Sequence, residues 1–61
     1  MSRKHYVAIA EKINATLTEV REGQLTAEEA VKLVACRLAD VASDDNDRFD
    51  CHRFLRACGV R

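Results

Sequence analysis

Five side chains in this sequence belong to the types that ligate metals or act as nucleophiles: Cys36, Cys51, Cys58, His5 and His52. Four ligands fill a tetrahedral zinc site, so the number suffices. The spacing does not. Cys51 and Cys58 fall in what reads as one helix, about 10 Å apart along the axis at roughly 1.5 Å per residue, whereas two ligands of one zinc lie within about 4 Å of each other. Cys51 and His52 are adjacent and diverge by about 100° around a helix, so they form no chelating pair of the kind separated by four residues. An odd number of cysteines with no secretion signal fits reduced thiols. The three are expected to act as small buried hydrophobes, with Cys51 mildly activated by its place in the first turn of a helix. No metal and no cofactor is expected.

Acid–base catalysis requires a carboxylate or imidazole held in a dry cleft. Here the carboxylates cluster as Asp44, Asp45, Asp47 and Asp50 in a segment of turn-forming residues, which reads as a solvated loop. A calcium loop needs a central Gly and a closing Glu, and neither follows Asp44. The sequence also has no nucleophile elbow, phosphate-binding glycine loop or nucleotide fingerprint, so an enzyme is not expected.

Charge is balanced in sum and segregated in place. Ten Lys and Arg offset ten Asp and Glu, which removes any global field toward nucleic acid or an anionic membrane. Arg3, Lys4 and Lys12 against Glu11 leave the N-terminal region basic. Asp44, Asp45, Asp47 and Asp50 against Arg48 leave the next charged region acidic, and Arg53, Arg56 and Arg61 make the C-terminus basic. Arg3 and Lys4 stand in the first turn of a helix, where the macrodipole disfavours cations by a few tenths of a kcal/mol, so a compensating anion is expected nearby. The simplest source is the Asp loop of the same chain. The candidate partner-binding residues are Arg3, Lys4, Asp44, Asp45, Asp47, Arg48, Arg53 and Arg56. Arg48 is expected either to bond carbonyls at the end of the second helix or to face a partner.

The elements that must position these groups are helical. Tyr6, Ile9, Ile13, Leu17 and Val20 recur at helical spacing between Ser2, which can cap, and Gly23, which can stop. This predicts a helix over residues 3–22 with that stripe facing inward. Thr26-Ala27-Glu28-Glu29 is a capping box, and Val31, Val34, Leu38 and Val41 form the inward stripe of a second helix over 27–42. The link between the two is short enough to force an antiparallel hairpin. Asp50 caps a third helix over 51–58, closed by a Phe49–Phe54 staple and stopped by Gly59, with Val60 touching Leu55.

The 61 residues form one domain, and a core of this size typically yields only about 3 to 5 kcal/mol. Self-association is the expected remedy: two hairpins pairing into a four-helix-type bundle, as a homodimer or small oligomer, through Tyr6, Val7, Ile13, Leu17 and Leu33. No uncharged run approaches the roughly 20 residues of a membrane span, and no export signal opens the chain, so no membrane is expected.

The segment Asn46-Asp47-Arg48-Phe49-Asp50-Cys51-His52-Arg53-Phe54-Leu55-Arg56-Ala57-Cys58-Gly59 resembles the C-terminal signature of small uncharacterised proteins encoded by tailed bacteriophages. The opening Arg3-Lys4-His5-Tyr6-Val7-Ala8-Ile9-Ala10 resembles their N-terminus. Many of those proteins look to carry Pro at the position of Asp47. The resemblance implies a phage or prophage accessory protein acting in the bacterial host cytoplasm, and it supplies no catalytic residue. The functional expectation is a non-catalytic protein that binds and modulates a host or phage protein. The alternatives are a virion structural or assembly component, or a small nucleic-acid-binding protein using Arg3, Lys4, Arg53, Arg56 and Arg61. Nucleic acid is disfavoured, because the third helix is the shortest and the loop before it is long and acidic.

Overall fold

The computed structural model of the chain describes residues 2–60. Three helices follow one another, α1 (Arg3–Arg21), α2 (Ala27–Asp45) and α3 (Cys51–Ala57), and no strand occurs among the described residues. The fold is an all-α hairpin with a short third helix.

Each boundary has a local cause. Gly23 takes φ +75°, which lets its N–H reach Val20 O at 3.0 Å and the Gln24 N–H reach Glu19 O at 2.9 Å, a Schellman closure of α1. At the start of α2 the Glu29 N–H donates to Thr26 Oγ1 at 3.2 Å, and Thr26 N–H donates to Glu29 Oε1 at 2.9 Å. Hydrogen bonding to the Glu29 carboxylate, first from the Thr26 backbone N–H and then from the Thr26 side chain, holds it below the usual carboxylate range. Asp50 Oδ1 accepts from the Arg53 N–H at 3.0 Å, and the Phe49 and Phe54 rings stack obliquely with centroids 5.4 Å apart. Gly59, at φ +82°, then ends α3 through the Val60 N–H to Leu55 O bond of 2.9 Å.

The ends of α1 and α3 fall one residue short of expectation, and the end of α2 differs by more. α2 continues through Ser43, Asp44 and Asp45 instead of stopping near Ala42. Side chains that bond their own backbone in a turn have better partners here: Ser43 Oγ lies 2.7 Å from Cys51 Sγ, and Asp44 and Asp45 both approach His5. The chain turns instead at Asn46, whose Oδ1 accepts from the Arg48 N–H at 3.0 Å.

α2 is the central element. α1 and α3 each pack against it and do not touch one another. Measured over Cα atoms the molecule extends 35 × 27 × 10 Å. Two stacked helix layers with axes about 8 to 10 Å apart would need roughly 13 Å or more, so the helices form a single layer. Such a slab shelters little. Among the described residues those buried are Ala35, Ala39, Val41, His5 and Thr16, the first three on α2 and the last two on α1.

The inward face of α1 departs from the expected stripe, of which only Ile9 and Val20 are half-buried. His5 and Thr16 are buried and Lys12 and Glu19 half-buried, while Tyr6 is 63% exposed, Ile13 47% and Leu17 43%. The helix is turned by about one residue, near 100°, relative to its apolar stripe. The cause is polar. Thr16 Oγ1 donates to Lys12 O at 2.8 Å and accepts from Arg37 Nη1, which also reaches Glu19 Oε1 at 3.0 Å. Arg37 thus ties α2 to two successive turns of α1 through a bridge that an apolar face could not offer. On α2, Val41 is buried and Val34 and Leu38 half-buried as expected, but Val31 is 69% exposed.

Candidate functional site

At one end of the hairpin the N-terminus of α1 meets the C-terminus of α2. Antiparallel packing brings the positive end of one helix dipole beside the negative end of the other. Asp44 and Asp45, misplaced at the C-terminus of their own helix, lie beside the first turn of α1. The group they contact is His5: Asp44 Oδ2 is 3.3 Å from Nε2, and Asp45 Oδ1 is 3.6 Å from Nδ1. The anions near the start of α1 are thus the expected Asp cluster, but the residue that receives them is His5. Arg3 and Lys4 are exposed and make no ion pair among the described residues.

His5 also closes the helix start. Its Nδ1 accepts from the Ser2 N–H at 3.2 Å and sits 2.8 Å from Ser2 Oγ. Nε2 is sheltered from solvent, and its approach to Asp44 lacks hydrogen-bond alignment. Serine, histidine and aspartate in contact are the components of an acyl-transfer triad. Here the imidazole lone pair is engaged by the backbone of the Ser2 cap, and His5 is buried between helices. The geometry is that of a capping clamp joining two helix ends. A shallow cleft of about 250 Å³ opens beside it, lined by Lys4, His5, Ala8, Lys12, Asp40, Val41 and Asp44.

The second region is the surface of α3. Cys51 joins this helix to α2, its Sγ 2.7 Å from Ser43 Oγ and 4.0 Å from Ala39 O, and Phe54 and Leu55 are half-buried. Asp47, Arg48, Arg53 and Arg56 are exposed, and none forms an ion pair among the described residues. The Arg48 backbone N–H is used in the Asn46 turn, while its guanidinium makes no bond to the carbonyls that end α2. A groove of about 520 Å³ runs between α2 and α3, lined by Cys36, His52, Leu55, Arg56 and Val60.

The cysteines are less sheltered than expected. Cys36 and Cys51 are half-buried and Cys58 is exposed, because a single layer offers no second face to cover them. Among the described residues no group of three His, Cys, Asp or Glu side chains is placed to hold a metal ion, and no helix is long and apolar enough to cross a membrane.

The expected self-association residues Tyr6, Val7, Ile13 and Leu17 are all exposed on α1, and Leu33 is half-buried on α2. Arg61 lies outside the described residues. Sequence reasoning did not find the Thr16–Arg37–Glu19 bridge or the role of His5; the available signal was the Ser2-x-x-His5 spacing, a weak form of a capping box. Comparison with protein-family models, curated proteins and solved structures finds no match to this chain.

Proposed function

We propose that this chain is a non-catalytic accessory protein, encoded by a phage or prophage and acting in the bacterial host cytoplasm, that binds and modulates a host or phage protein. The phage origin rests on the resemblance of residues 3–10 and 46–59 to such proteins. The binding role rests on α3 and the turn before it. A helix of seven residues has little stability of its own; this one is capped, stapled and anchored to α2, and together with the turn before it presents four exposed charged side chains that form no ion pair among the described residues. Asp47, Arg48, Arg53 and Arg56 form a fixed pattern of one anion and three cations that suits a partner with a complementary acidic surface.

The test is quantitative capture from host lysate with and without infection. A saturable protein partner is expected, its affinity falling at least tenfold in Arg53→Glu with Arg56→Glu, two exposed changes that leave the helical circular dichroism intact. Absence of any saturable partner refutes the reading. Retention of nucleic acid with a steep salt dependence replaces it with a nucleic-acid role, and recovery of the chain in purified particles replaces it with a virion role.

A further inference from the structure

We propose that α1 pairs with α1 of a second copy, antiparallel, through a seam of Tyr6, Ala10, Ile13, Leu17 and Val20. This surface is separate from the charged face of α3, so the inference stands apart from the protein-binding reading.

The seam follows from spacing. These five residues recur at intervals of four, three, four and three, a mean of 3.5, which is the period that keeps one edge of a helix facing a partner helix along a left-handed supercoil. Within the chain α2 takes the neighbouring row, His5, Lys12, Thr16 and Glu19, each one residue earlier and therefore about 100° away. Of the seam itself Tyr6, Ala10, Ile13 and Leu17 are exposed and Val20 is half-buried. Tyr6, Val7, Ile13 and Leu17 are all among the exposed large hydrophobic residues, Val7 being 49% exposed at its margin.

The area fits a second copy of the chain. A folded monomer of 6.9 kDa is expected to expose about 4,000 Å². This chain exposes 4813 Å², an excess of roughly 800 Å², which matches what each partner contributes to a standard protein–protein interface. A slab one helix thick acquires its missing second layer when two copies stack.

The orientation follows from volume and charge. In an antiparallel register Tyr6 meets Leu17 of the partner subunit, and the small Ala10 meets Ile13 of the partner subunit. A parallel pair would set Ala10 against its own copy, leaving a gap, and would bring two Arg3–Lys4 pairs together at two positive helix ends. In the antiparallel pair Arg3 lays its stem over Val20 of the partner subunit. Its guanidinium reaches the carbonyl end of that helix, near Glu22 of the partner subunit.

Size-exclusion chromatography with light scattering on the full chain is expected to give about 14 kDa, twice the chain mass. The melting temperature is expected to rise with concentration across a hundredfold range. Leu17→Glu is expected to weaken association at least a hundredfold. Arg3→Glu is expected to weaken it several-fold, with Glu22→Arg in the same chain restoring it. A mass near 7 kDa with concentration-independent melting overturns the proposal even if Leu17→Glu proves unfolded. A dimer that survives Leu17→Glu overturns the seam, and failure of Glu22→Arg to restore the Arg3→Glu variant overturns the antiparallel register.

Discussion

Replacing Thr16 with Val isolates the interaction that sets the rotation of α1. Valine keeps the branched shape of threonine and removes only the hydroxyl, which donates to Lys12 O at 2.8 Å and accepts from Arg37 Nη1. The first bond contributes little, because a hydroxyl bonded back to the preceding turn is nearly neutral for a helix. The second is charge-assisted, worth about 1.5 to 3 kcal/mol when its partner is stranded. Arg37 is not fully stranded, since it keeps Glu19 at 3.0 Å and its side chain is about a quarter exposed. The expected loss is therefore about 1 to 2 kcal/mol, a large part of the roughly 3 to 5 kcal/mol available to a domain of this size. At about 4 to 8 °C per kcal/mol for a small domain, the midpoint falls by roughly 8 °C. Circular dichroism melts and urea titrations at fixed concentration measure it. A cycle with Arg37→Met is expected to give a coupling of at least about 0.5 kcal/mol between the two sites. If the apolar stripe faced α2 instead, Thr16 would lie at the margin and valine would be neutral or stabilising. A change within about 0.3 kcal/mol of zero, or a gain, refutes the polar inner face.

Two further outcomes follow from the caps. Thr26→Ala removes the hydroxyl that accepts from the Glu29 N–H, keeps the backbone N–H that donates to the Glu29 carboxylate, and is expected to cost about 1 kcal/mol near neutral pH. Because the folded Glu29 carboxyl titrates below its unfolded value, its stabilisation is present above the ordinary carboxylate range and lost as pH falls through the lowered folded value. In Thr26→Ala the backbone N–H bond to the Glu29 carboxylate persists, so the Glu29 titration, followed by NMR, is expected to rise only part of the way toward the ordinary range; a complete return to it rejects the backbone bond as the main cause. Asp50→Ala removes the acceptor of the Arg53 N–H and is expected to fray α3 while α1 and α2 persist, because α3 contacts α2 alone. Hydrogen exchange decides it. Faster exchange spread evenly over all three helices would contradict the separability of α3.

What the sequence by itself determined is local. The Thr26–Glu29 box, the Asp50 cap, the Phe49–Phe54 staple and the Gly23 and Gly59 stops each join residues at most five apart, so their types and spacing carry the whole interaction. The hairpin follows from the short link between two such helices. The contact residues proposed for α3 were readable for the same reason, as charges left over once local roles were filled.

Only the tertiary structure decided which side of α1 faces α2 and where α2 ends. A hydrophobic stripe states that a face avoids water, without stating what covers it. The groups that overrule the nearest apolar choice, Arg37 on Thr16 and Glu19 and the α2 carboxylates on His5, lie 18 to 40 residues apart in the chain. Their pairing depends on where one helix lies against another, and no local pattern records it. The same is true of the single-layer arrangement, which leaves the α1 seam open because α3 packs beside α2 rather than across the hairpin.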